Sequence, residues 1–352
     1  MKRLIIADVK SNNNHGKCTG HYFAVAQNYL DLYSKICPTI VAGGPIFKDN
    51  FKECQIFPLP FDSIVGMNPI INKWNTLNNC RYLFKSIQNN DVVVMQHSGA
   101  STTFMGIALF AKKKHNVFVI QYDTEAISTP LKRIIYHWAK RKIKGFICPS
   151  ERITKAYDKE GCIVTDYIYP NEKTNIATPF ENKVYDIAIV GSICPDKGVV
   201  EAVKQLAKTK LRVLVAGMAD IKQTAVIKEI CQSASNIELK LGFVSDNDYY
   251  GYIQKARYCM LNYHGVYEDR SSGVVLDILF EGTPILGHRC KALQFVEKEK
   301  VGLLFDNVAN FNFDAINDKS LYTSLQKSIV CYLNKQKAYK EKMIDYLNLK
   351  SN

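Results

Sequence analysis

Two aspartates eight residues apart, Asp269 and Asp277, flank the stretch of sequence best placed to bind a ligand. Between them lie Arg270, a Ser-Ser-Gly turn at 271–273 and an apolar run that begins at Val274. The run and the Gly-Thr-Pro after it predict a buried helix with a glycine stop, followed by a buried strand. Free backbone N–H groups at a helix start, together with the helix dipole, favour an anion. The pattern therefore predicts an anion site at the turn, with one carboxylate before it and the other one turn into the helix.

The composition is that of a globular protein with a full core. The chain has 352 residues, of which 47% are hydrophobic and 22% charged, which is enough for two domains. No segment reaches the roughly 18 apolar residues of a membrane-spanning helix, and the apolar start is too short for a signal peptide. Eleven cysteines without a C-x-x-C pair favour free thiols in the cytoplasm over a disulfide framework or a zinc site.

Positive charge is concentrated in the first half of the chain. The net charge is +13, and residues 1–172 hold 22 Lys+Arg against 13 Asp+Glu. Such an excess favours an anionic partner: a phosphorylated substrate, a nucleic acid or a membrane surface. A helix predicted over 131–144 has six Lys/Arg and no acid, and its Ile134, Ile135 and Trp138 could enter a membrane interface. The alternative is an ordinary sheet-covering helix with a solvated basic face, and both interpretations can hold together.

Apolar runs alternate with helical patterns along the whole chain, which predicts parallel sheets covered on both faces. The predicted strands are Leu4–Ala7, Thr39–Ala42, Asp91–Met95, Asn116–Gln121, Gly145–Cys148, Ile187–Val190, Leu211–Ala216, Ile237–Leu239, Tyr258–Leu261, Ile285–Leu286 and Gly302–Phe305. Residues 10–20 are predicted to be a loop, and 45–75 to be irregular.

The pattern stops at a polar segment and then restarts, which divides the chain. We predict an N-terminal Rossmann-like domain over 1–172, a linker over 173–184 and a second Rossmann-like domain over 185–317. A helical region over 318–352 could pack back on the first domain. Two doubly wound domains of this kind are expected to face each other across a cleft at the carboxyl ends of their strands.

Over about 168–306 the sequence resembles the GT-B glycosyltransferases, and most closely the large retaining family 4. Residues 190–199, VGSICPDKGV, resemble that family's G-R-L-x-x-E-K-G, and 214–217, LVAG, resemble its v-i-x-G. Residues 241–246, LGFVSD, look like its l-G-f-v-s-d, and 281–285, EGTPI, like its a-G-t-P-v. The segment 269–277 occupies the place of its E-x7-E motif, and 168–171, IYPN, resembles the end of its first domain.

The resemblance implies a fold of two Rossmann-like domains and a glycosyltransferase that moves a sugar from a nucleotide-diphosphate donor, UDP- or GDP-linked, to an acceptor hydroxyl. It implies retention of configuration, no metal and no cofactor. The domain over 1–172 would lie on the acceptor side, and the domain over 185–317 would bind the nucleotide sugar. Asp277 would bind the ribose, Asp269 the sugar hydroxyls, and Lys197 the diphosphate. The candidates for catalytic residues are Asp269, Lys197, Tyr122 and Asp123. The further donor-binding candidates are Gly16, Gly20, Ser192, Tyr263, His264, Arg270, Ser271, Ser272, Gly273 and Val274.

Candidates on the acceptor side follow the ends of predicted strands in the first half. Tyr122 and Asp123 fall near the place where the family often has a histidine beside the sugar, and His97 and Glu125 would contact the acceptor. The basic first half and the 131–144 helix suggest a glycan or lipid-linked acceptor. We therefore expect a cytoplasmic protein that can lie on the inner face of the membrane, in bacterial surface polysaccharide or lipopolysaccharide assembly.

Two positions depart from the family pattern: both glutamates of the motif are aspartates, and its arginine is Ser192, for which Arg270 is a candidate replacement. The alternatives are an epimerase or phosphorylase on the same fold, a DNA-modifying glucosyltransferase or nucleic-acid binder, and a binding-only relative. The D-x-D at Asp246 and Asp248 is interpreted as the acidic first turn of a helix and not as a metal site.

Overall fold

The computed structural model of the chain describes residues 2–18, 22–49, 51–96, 100–164, 178–268 and 272–349. The chain divides into two compact units, of which Met1–Pro170 with Gln336–Asn352 is the first and Asn171–Lys335 the second. Each unit holds its own parallel sheet with helices, which confirms the predicted α/β class with two Rossmann-like sheets.

The first unit is built on a seven-stranded parallel sheet with the order β10-β9-β8-β7-β1-β4-β5. The four residues of β1 and the four of β7 are all buried, as expected for central strands covered on both faces. The remaining strands, β2, β3 and β6, form a small separate sheet. The strands described in this unit are β1 (Leu4–Ala7), β2 (Asn12–Asn14), β3 (Lys17–Cys18), β4 (Thr39–Gly43), β5 (Ile56–Pro58), β6 (Ser63–Ile64), β7 (Val92–Met95), β8 (Asn116–Ile120), β9 (Ile143–Cys148) and β10 (Gly161–Ile163).

The helices described in the first unit are α1 (Tyr22–Tyr33), α2 (Pro69–Ser86), α3 (Ala100–Phe110), α4 (Pro130–Lys140) and α5 (Glu151–Ala156). Helix α3 packs against both α2 and α4. An aromatic cluster joins this layer to the sheet: the rings of Phe104, Tyr136, Phe146 and Tyr157 contact one another with centroids 5.0 to 6.4 Å apart. Because aromatic side chains bury large areas, this cluster anchors the layer to the sheet.

The second unit is built on a six-stranded parallel sheet with the order β13-β12-β11-β14-β15-β16. Its strands are β11 (Tyr185–Val190), β12 (Val213–Gly217), β13 (Ile237–Leu241), β14 (Ala256–Leu261), β15 (Ile285–His288) and β16 (Gly302–Phe305). Its helices, as far as the chain is described, are α6 (Val199–Leu206), α7 (Ile221–Cys231), α8 (Asp246–Lys255), α9 (Gly273–Phe280) and α10 (Gln294–Lys298).

The last helix, α11 (Lys319–Tyr346), begins in the second unit and ends in the first. Near its end, Lys342 Nζ donates to the carbonyl of Ile163 at 2.9 Å. The Tyr346 ring packs edge-on against Phe118, with centroids 5.4 Å apart. These contacts tie the end of the chain to the sheet of the first unit.

Three local predictions were wrong. The segment 45–75, expected to be irregular, contains β5, β6 and the start of α2, whose Asn68 cap accepts the N–H of Ile70. The helix predicted to reach residue 144 ends at Lys140, because Ile143 is buried as the first residue of β9 and pairs with Val117. The predicted loop 10–20 contains a hairpin of β2 and β3.

The cysteines whose state the structure describes are all free thiols, and most of them are buried. Within the described ranges, no helix combines the length and the apolar character that a bilayer crossing requires. The segments 165–177 and 269–271 lie outside the described residues, so the predicted motif at 168–171 and the part of the predicted linker over 173–177 stay predictions.

Replacing Gly217 by alanine should destabilise the second unit strongly. Its φ is +151°, and an added Cβ would lie 1.7 Å from the carbonyl oxygen of Gly191, a backbone atom that can yield only if the strand end shifts. An unfavourable φ alone costs about 1–3 kcal/mol. Because the steric collision adds to this strain, we expect the free energy of unfolding to fall by about 3 kcal/mol or more.

The matched control is Gly242→Ala, because Gly242 has a φ of +127° but nothing within 4 Å of an added Cβ. Chemical denaturation of both variants measures the difference. An equal decrease in the free energy of unfolding for both variants would show that the steric collision at Gly191 does not cause the destabilisation.

Candidate functional site

The candidate site lies at the carboxyl ends of β11 and β14, which are neighbours in the sheet of the second unit. From β11 the chain proceeds outward to β12 and β13, and then returns to the other side of β11 at β14. In open α/β sheets, ligands bind outside the carboxyl ends of the strands where the strand order reverses in this way. Two loops meet at this point, 191–198 after β11 and 262–268 after β14.

Lys197 is the buried cation of the site. Only 8% of the residue is exposed, and its Nζ donates to Ser192 Oγ at 2.9 Å. The same Nζ lies 5.2 Å from the centroid of the Tyr267 ring, at the range of a cation–π contact. Burial lowers the pKa of Lys197, because a low-dielectric environment disfavours the charged form. In the described part of the chain, its partners are thus a hydroxyl and a ring, and no carboxylate forms an ion pair with it.

The turn that carries Lys197 is fixed to the end of β14. Gly198 follows with a φ of +56°, and a Cβ there would lie 2.4 Å from the carbonyl oxygen of Asn262, so this position requires glycine. The Asn262 side chain donates to the carbonyl of Gly198 at 3.0 Å, and the N–H of His264 donates to the carbonyl of Asp196 at 2.7 Å. The two loops therefore hold each other in place.

The start of α9 lies beside the same loops. Tyr263 is buried, and its OH donates to Ser272 Oγ at 2.9 Å. The Ser272 hydroxyl therefore bonds to the tyrosine and makes no capping hydrogen bond to α9. A Cβ built on Gly191 would lie 3.4 Å from Val274, which places the first turn of α9 against the loop after β11. Gly273 is the first residue of the helix. Asp269, Arg270 and Ser271 lie outside the described residues, so their roles stay predictions.

Asp277 lies one turn into α9, as the sequence predicts, and is half-buried. Its Oδ2 accepts a hydrogen bond of 3.0 Å from the OH of Tyr249, a residue of α8. Burial and the nearby Asp277 charge raise the pKa of Tyr249, so the phenol stays protonated and donates. Sequence reasoning missed Tyr249, because nothing local marks a tyrosine 28 residues away as a partner of this carboxylate.

A pair of histidines borders the loop after β14. His264 Nε2 lies 3.2 Å from Glu201 Oε2, and its ring centroid is 4.7 Å from that of His288. His288 is the last residue of β15, the strand next to β14, and its Nδ1 is 2.7 Å from the carbonyl oxygen of Tyr263. Glu201 and His288 were not predicted from the sequence, although Glu201 follows the glycine turn at Gly198 and His288 ends β15 at this edge.

The structure therefore brings several of the predicted donor-binding residues together. Ser192, Lys197 and Tyr263 line one small cavity, and Ser272 contacts the last of these. Asp277 is positioned from the same short helix.

The candidates of the first unit are placed differently. Gly16 sits in the tight turn between β2 and β3 with a φ of +79°, and its N–H already donates to Asn13 Oδ1 at 2.9 Å. Tyr122 is buried after β8, with 4% exposed. His97 and Gly20 lie outside the described residues.

Asp123 and Glu125 form a local turn after β8. The carboxylate of Asp123 accepts the N–H of Glu125 at 2.9 Å, and the carbonyl of Asp123 accepts from the OH of Tyr157 at 3.2 Å. The Glu125 side chain is 69% exposed and lies 3.8 Å from Lys132 Nζ. These contacts give both acids a structural function and leave their predicted contact with an acceptor as a prediction.

The acidic pair at Asp246 and Asp248 opens α8. Ser245 is the cap of this helix, and its Oγ accepts the N–H of Asp248 at 3.2 Å. Across the described residues, no group of three or more His, Cys, Asp and Glu side chains is arranged to hold a metal ion.

No family model matches the sequence, and no curated protein matches it. Solved structures do match over nearly the whole chain. A sucrose-phosphate synthase from Thermosynechococcus elongatus is 12% identical with a TM-score of 0.70, covering 99% of this chain and 98% of that one. Anabaena HepE, solved in complex with UDP, is 12% identical with a TM-score of 0.69, covering 99% and 100%.

A third match is WaaG, a glycosyltransferase involved in lipopolysaccharide biosynthesis. It is 13% identical with a TM-score of 0.66, and the alignment covers 98% of this chain and 99% of that one. At such identities the likeness concerns the fold. The chain has the GT-B fold of these glycosyltransferases, as its sequence predicts.

Proposed function

We propose that this chain is a glycosyltransferase that moves a sugar from a nucleotide-diphosphate donor to an acceptor hydroxyl. The observation that carries the proposal is the buried ammonium of Lys197, which has a hydroxyl and a ring as partners but no ion pair within the described ranges. Burying a charge is costly unless an opposite charge offsets it. A diphosphate bound at the switch point of the sheet would supply that charge, next to the start of α9.

The remaining donor contacts follow from the same edge of the sheet. Asp277 accepts from Tyr249 with one oxygen, and carboxylate oxygens can accept further bonds, which suits the paired hydroxyls of a ribose. Asp269 remains our candidate for the sugar hydroxyls. UDP is the first nucleotide to test, because HepE was solved with it; GDP is the second.

In the reaction we propose, the bond between the sugar and the diphosphate breaks, a bond from the acceptor oxygen to the anomeric carbon forms, and the proton of the acceptor hydroxyl passes to the departing diphosphate oxygen. The acceptor attacks from the face that the diphosphate leaves, so configuration is retained and no protein nucleophile is assigned. Lys197 faces the charge that develops on the departing diphosphate, and a preorganised cation in a dry site lowers the energy of that transition state. The chain's other contribution is to position both substrates.

For the acceptor we propose a lipid-linked glycan of bacterial surface polysaccharide or lipopolysaccharide assembly, reached from the cytoplasmic face of the membrane. Helix α4 exposes Leu131, Ile134 and Trp138, three apolar side chains at helical spacing, on a segment without acids. The prediction for Ile135 was wrong, because this side chain is partly buried against the core of the first unit. WaaG offers a parallel, since it is a glycosyltransferase involved in lipopolysaccharide biosynthesis.

The reaction itself can be tested with radiolabelled UDP- and GDP-sugars, each incubated with and without a lipid-linked oligosaccharide. We expect label in the lipid fraction only when the acceptor is present. Complete conversion of the donor to an epimer without acceptor would instead establish the epimerase alternative. Nucleotide binding without any turnover would identify a binding-only protein.

Asp277→Asn should weaken UDP binding about tenfold or more, because hydrogen bonds to a charged group contribute about 1.5–3 kcal/mol each. Tyr249→Phe should cause a smaller loss, since the carboxylate stays but loses the bond that orients it. Titration calorimetry with UDP measures both. Asp314→Asn is the control, an exposed acid beside the amino ends of the strands, and affinities that match the unmodified protein in all three variants would remove Asp277 from the site.

Lys197→Ala should slow sugar transfer about 10²–10³-fold, while UDP binds with a smaller change, because the missing cation acts on charge that develops in the transition state. Comparing kcat with the affinity for UDP separates the two effects. Lys204→Ala, an exposed lysine on α6, is the control and should leave the rate unchanged. A rate unaffected by Lys197→Ala would contradict this assignment.

A further inference from the structure

Both tryptophans of the chain are exposed. Trp74 on α2 is 64% exposed, and Trp138 on α4 is 56% exposed. Tryptophan is usually well buried, because its large ring buries much apolar area. Two exposed tryptophans on the same unit therefore call for a partner that covers them.

The two tryptophans belong to one layer of helices. Helices α2 and α4 both pack against α3, and their buried residues, Leu83 and Phe84 of α2 and Tyr136 and Ala139 of α4, join a single core cluster over the sheet. The layer thus turns one side to the sheet and its other side outward.

Each tryptophan has aliphatic neighbours on the outward side. On α2 these are Ile70 and Ile71, which are 75% and 49% exposed, one turn before Trp74. Bonds of Asn72 to the N–H and the carbonyl of Ile64 hold this first turn in place. On α4, Leu131 and Ile134 lie seven and four residues before Trp138, so the three share one stripe.

The same layer carries only positive charge. The sequences of α2, α3 and α4 contain no Asp or Glu. Arg81 and Lys85 lie seven and eleven residues after Trp74, on its side of α2, and Arg141 follows Trp138 by three residues; all three are exposed. Other cations near α4 are used within the fold, as Lys140 bonds to Asp158 and Lys142 to the carbonyl of Ala108.

We infer that α2 and α4 together form a docking surface for an anionic lipid bilayer, with one tryptophan anchor on each helix. The inference rests on the membrane contact proposed above, which concerns α4 alone, and adds a second anchor. Tryptophan and aliphatic side chains enter the interface of a bilayer, while Arg and Lys reach its headgroups. A nucleic acid would satisfy the cations but would leave Ile70, Ile71, Leu131 and Ile134 uncovered.

Two anchors also do what one helix cannot. A single helix on a membrane leaves the protein free to rotate about the helix axis, whereas contacts on two helices of a rigid layer define the orientation of the unit. The first unit would then turn one fixed face, the face of the sheet that this helix layer covers, toward the membrane.

The test uses the tryptophans as reporters. Trp74→Phe and Trp138→Phe each leave one tryptophan, and each protein is titrated with vesicles of phosphatidylcholine and phosphatidylglycerol (7:3) and with phosphatidylcholine alone. We expect a blue-shifted emission and quenching by brominated lipid from both reporters, with anionic vesicles only and with a strong decrease at high salt.

Each other result decides against the inference at a defined level. A response from Trp138 alone would leave the α4 contact and remove the second anchor. The absence of any response would rule out membrane contact altogether. The glycosyltransferase proposal would then still be tested separately, by measuring sugar transfer to a short water-soluble acceptor. The same shift in both reporters with duplex DNA, in competition with vesicles, would assign the surface to nucleic acid.

Substitutions at exposed positions test the energetics without disturbing the core. Ile71→Ser on α2 and Ile134→Ser on α4 should each weaken vesicle binding about tenfold in a sedimentation assay. Ile221→Ser is the control, a 92% exposed isoleucine in the second unit. Equal binding by all three variants would overturn the inference.

Discussion

The buried ammonium of Lys197 is the constraint on which the candidate site depends. Its side chain can stay inside only because the loop after β11 turns sharply at Gly198 and is bonded to the end of β14. The close approach of Gly217 to Gly191 brings the neighbouring strand end against the same loop. A set of small residues and backbone bonds thus keeps one positive charge in place at the point where the strand order reverses.

The polar groups around this cation are held by hydroxyls. Tyr249 holds Asp277, Tyr263 holds Ser272, and Ser192 holds Lys197. Hydroxyl partners fix a side chain without adding charge, so the positive field at the site comes from the lysine and the helix start. Ser192 stands where the G-R-L-x-x-E-K-G pattern has its arginine, and its hydroxyl orients the remaining cation, Lys197.

Much of the fold follows from local patterns, while several parts of the site do not. The apolar runs of β1, β7 and β11 predicted buried parallel strands, and the Ser-Ser-Gly turn before α9 placed Asp277 one turn inside that helix. Helix α2 was missed because it is rich in asparagine, a weak helix former. Its stability is tertiary: Asn79 donates to the carbonyls of Val9 and Phe61 at 2.9 and 2.8 Å. The Tyr249–Asp277 bond was unpredictable for the same reason, since only the folded chain brings its partners together.

The path of α11 makes the first unit discontinuous in sequence. Lys342 and Tyr346 contact strands of its sheet that lie far earlier in the chain, at Ile163 and Phe118. Recombination that exchanges the second unit between related chains would therefore need two crossover points, one in the connection between the units and one within α11. A single crossover would join the sheet of one parent to the closing helix of another, at Gly145, where a Cβ would already collide with the Tyr346 hydroxyl. The second unit can thus be exchanged as a whole only as a central segment, residues 171–335, inserted into a frame that the rest of the chain provides.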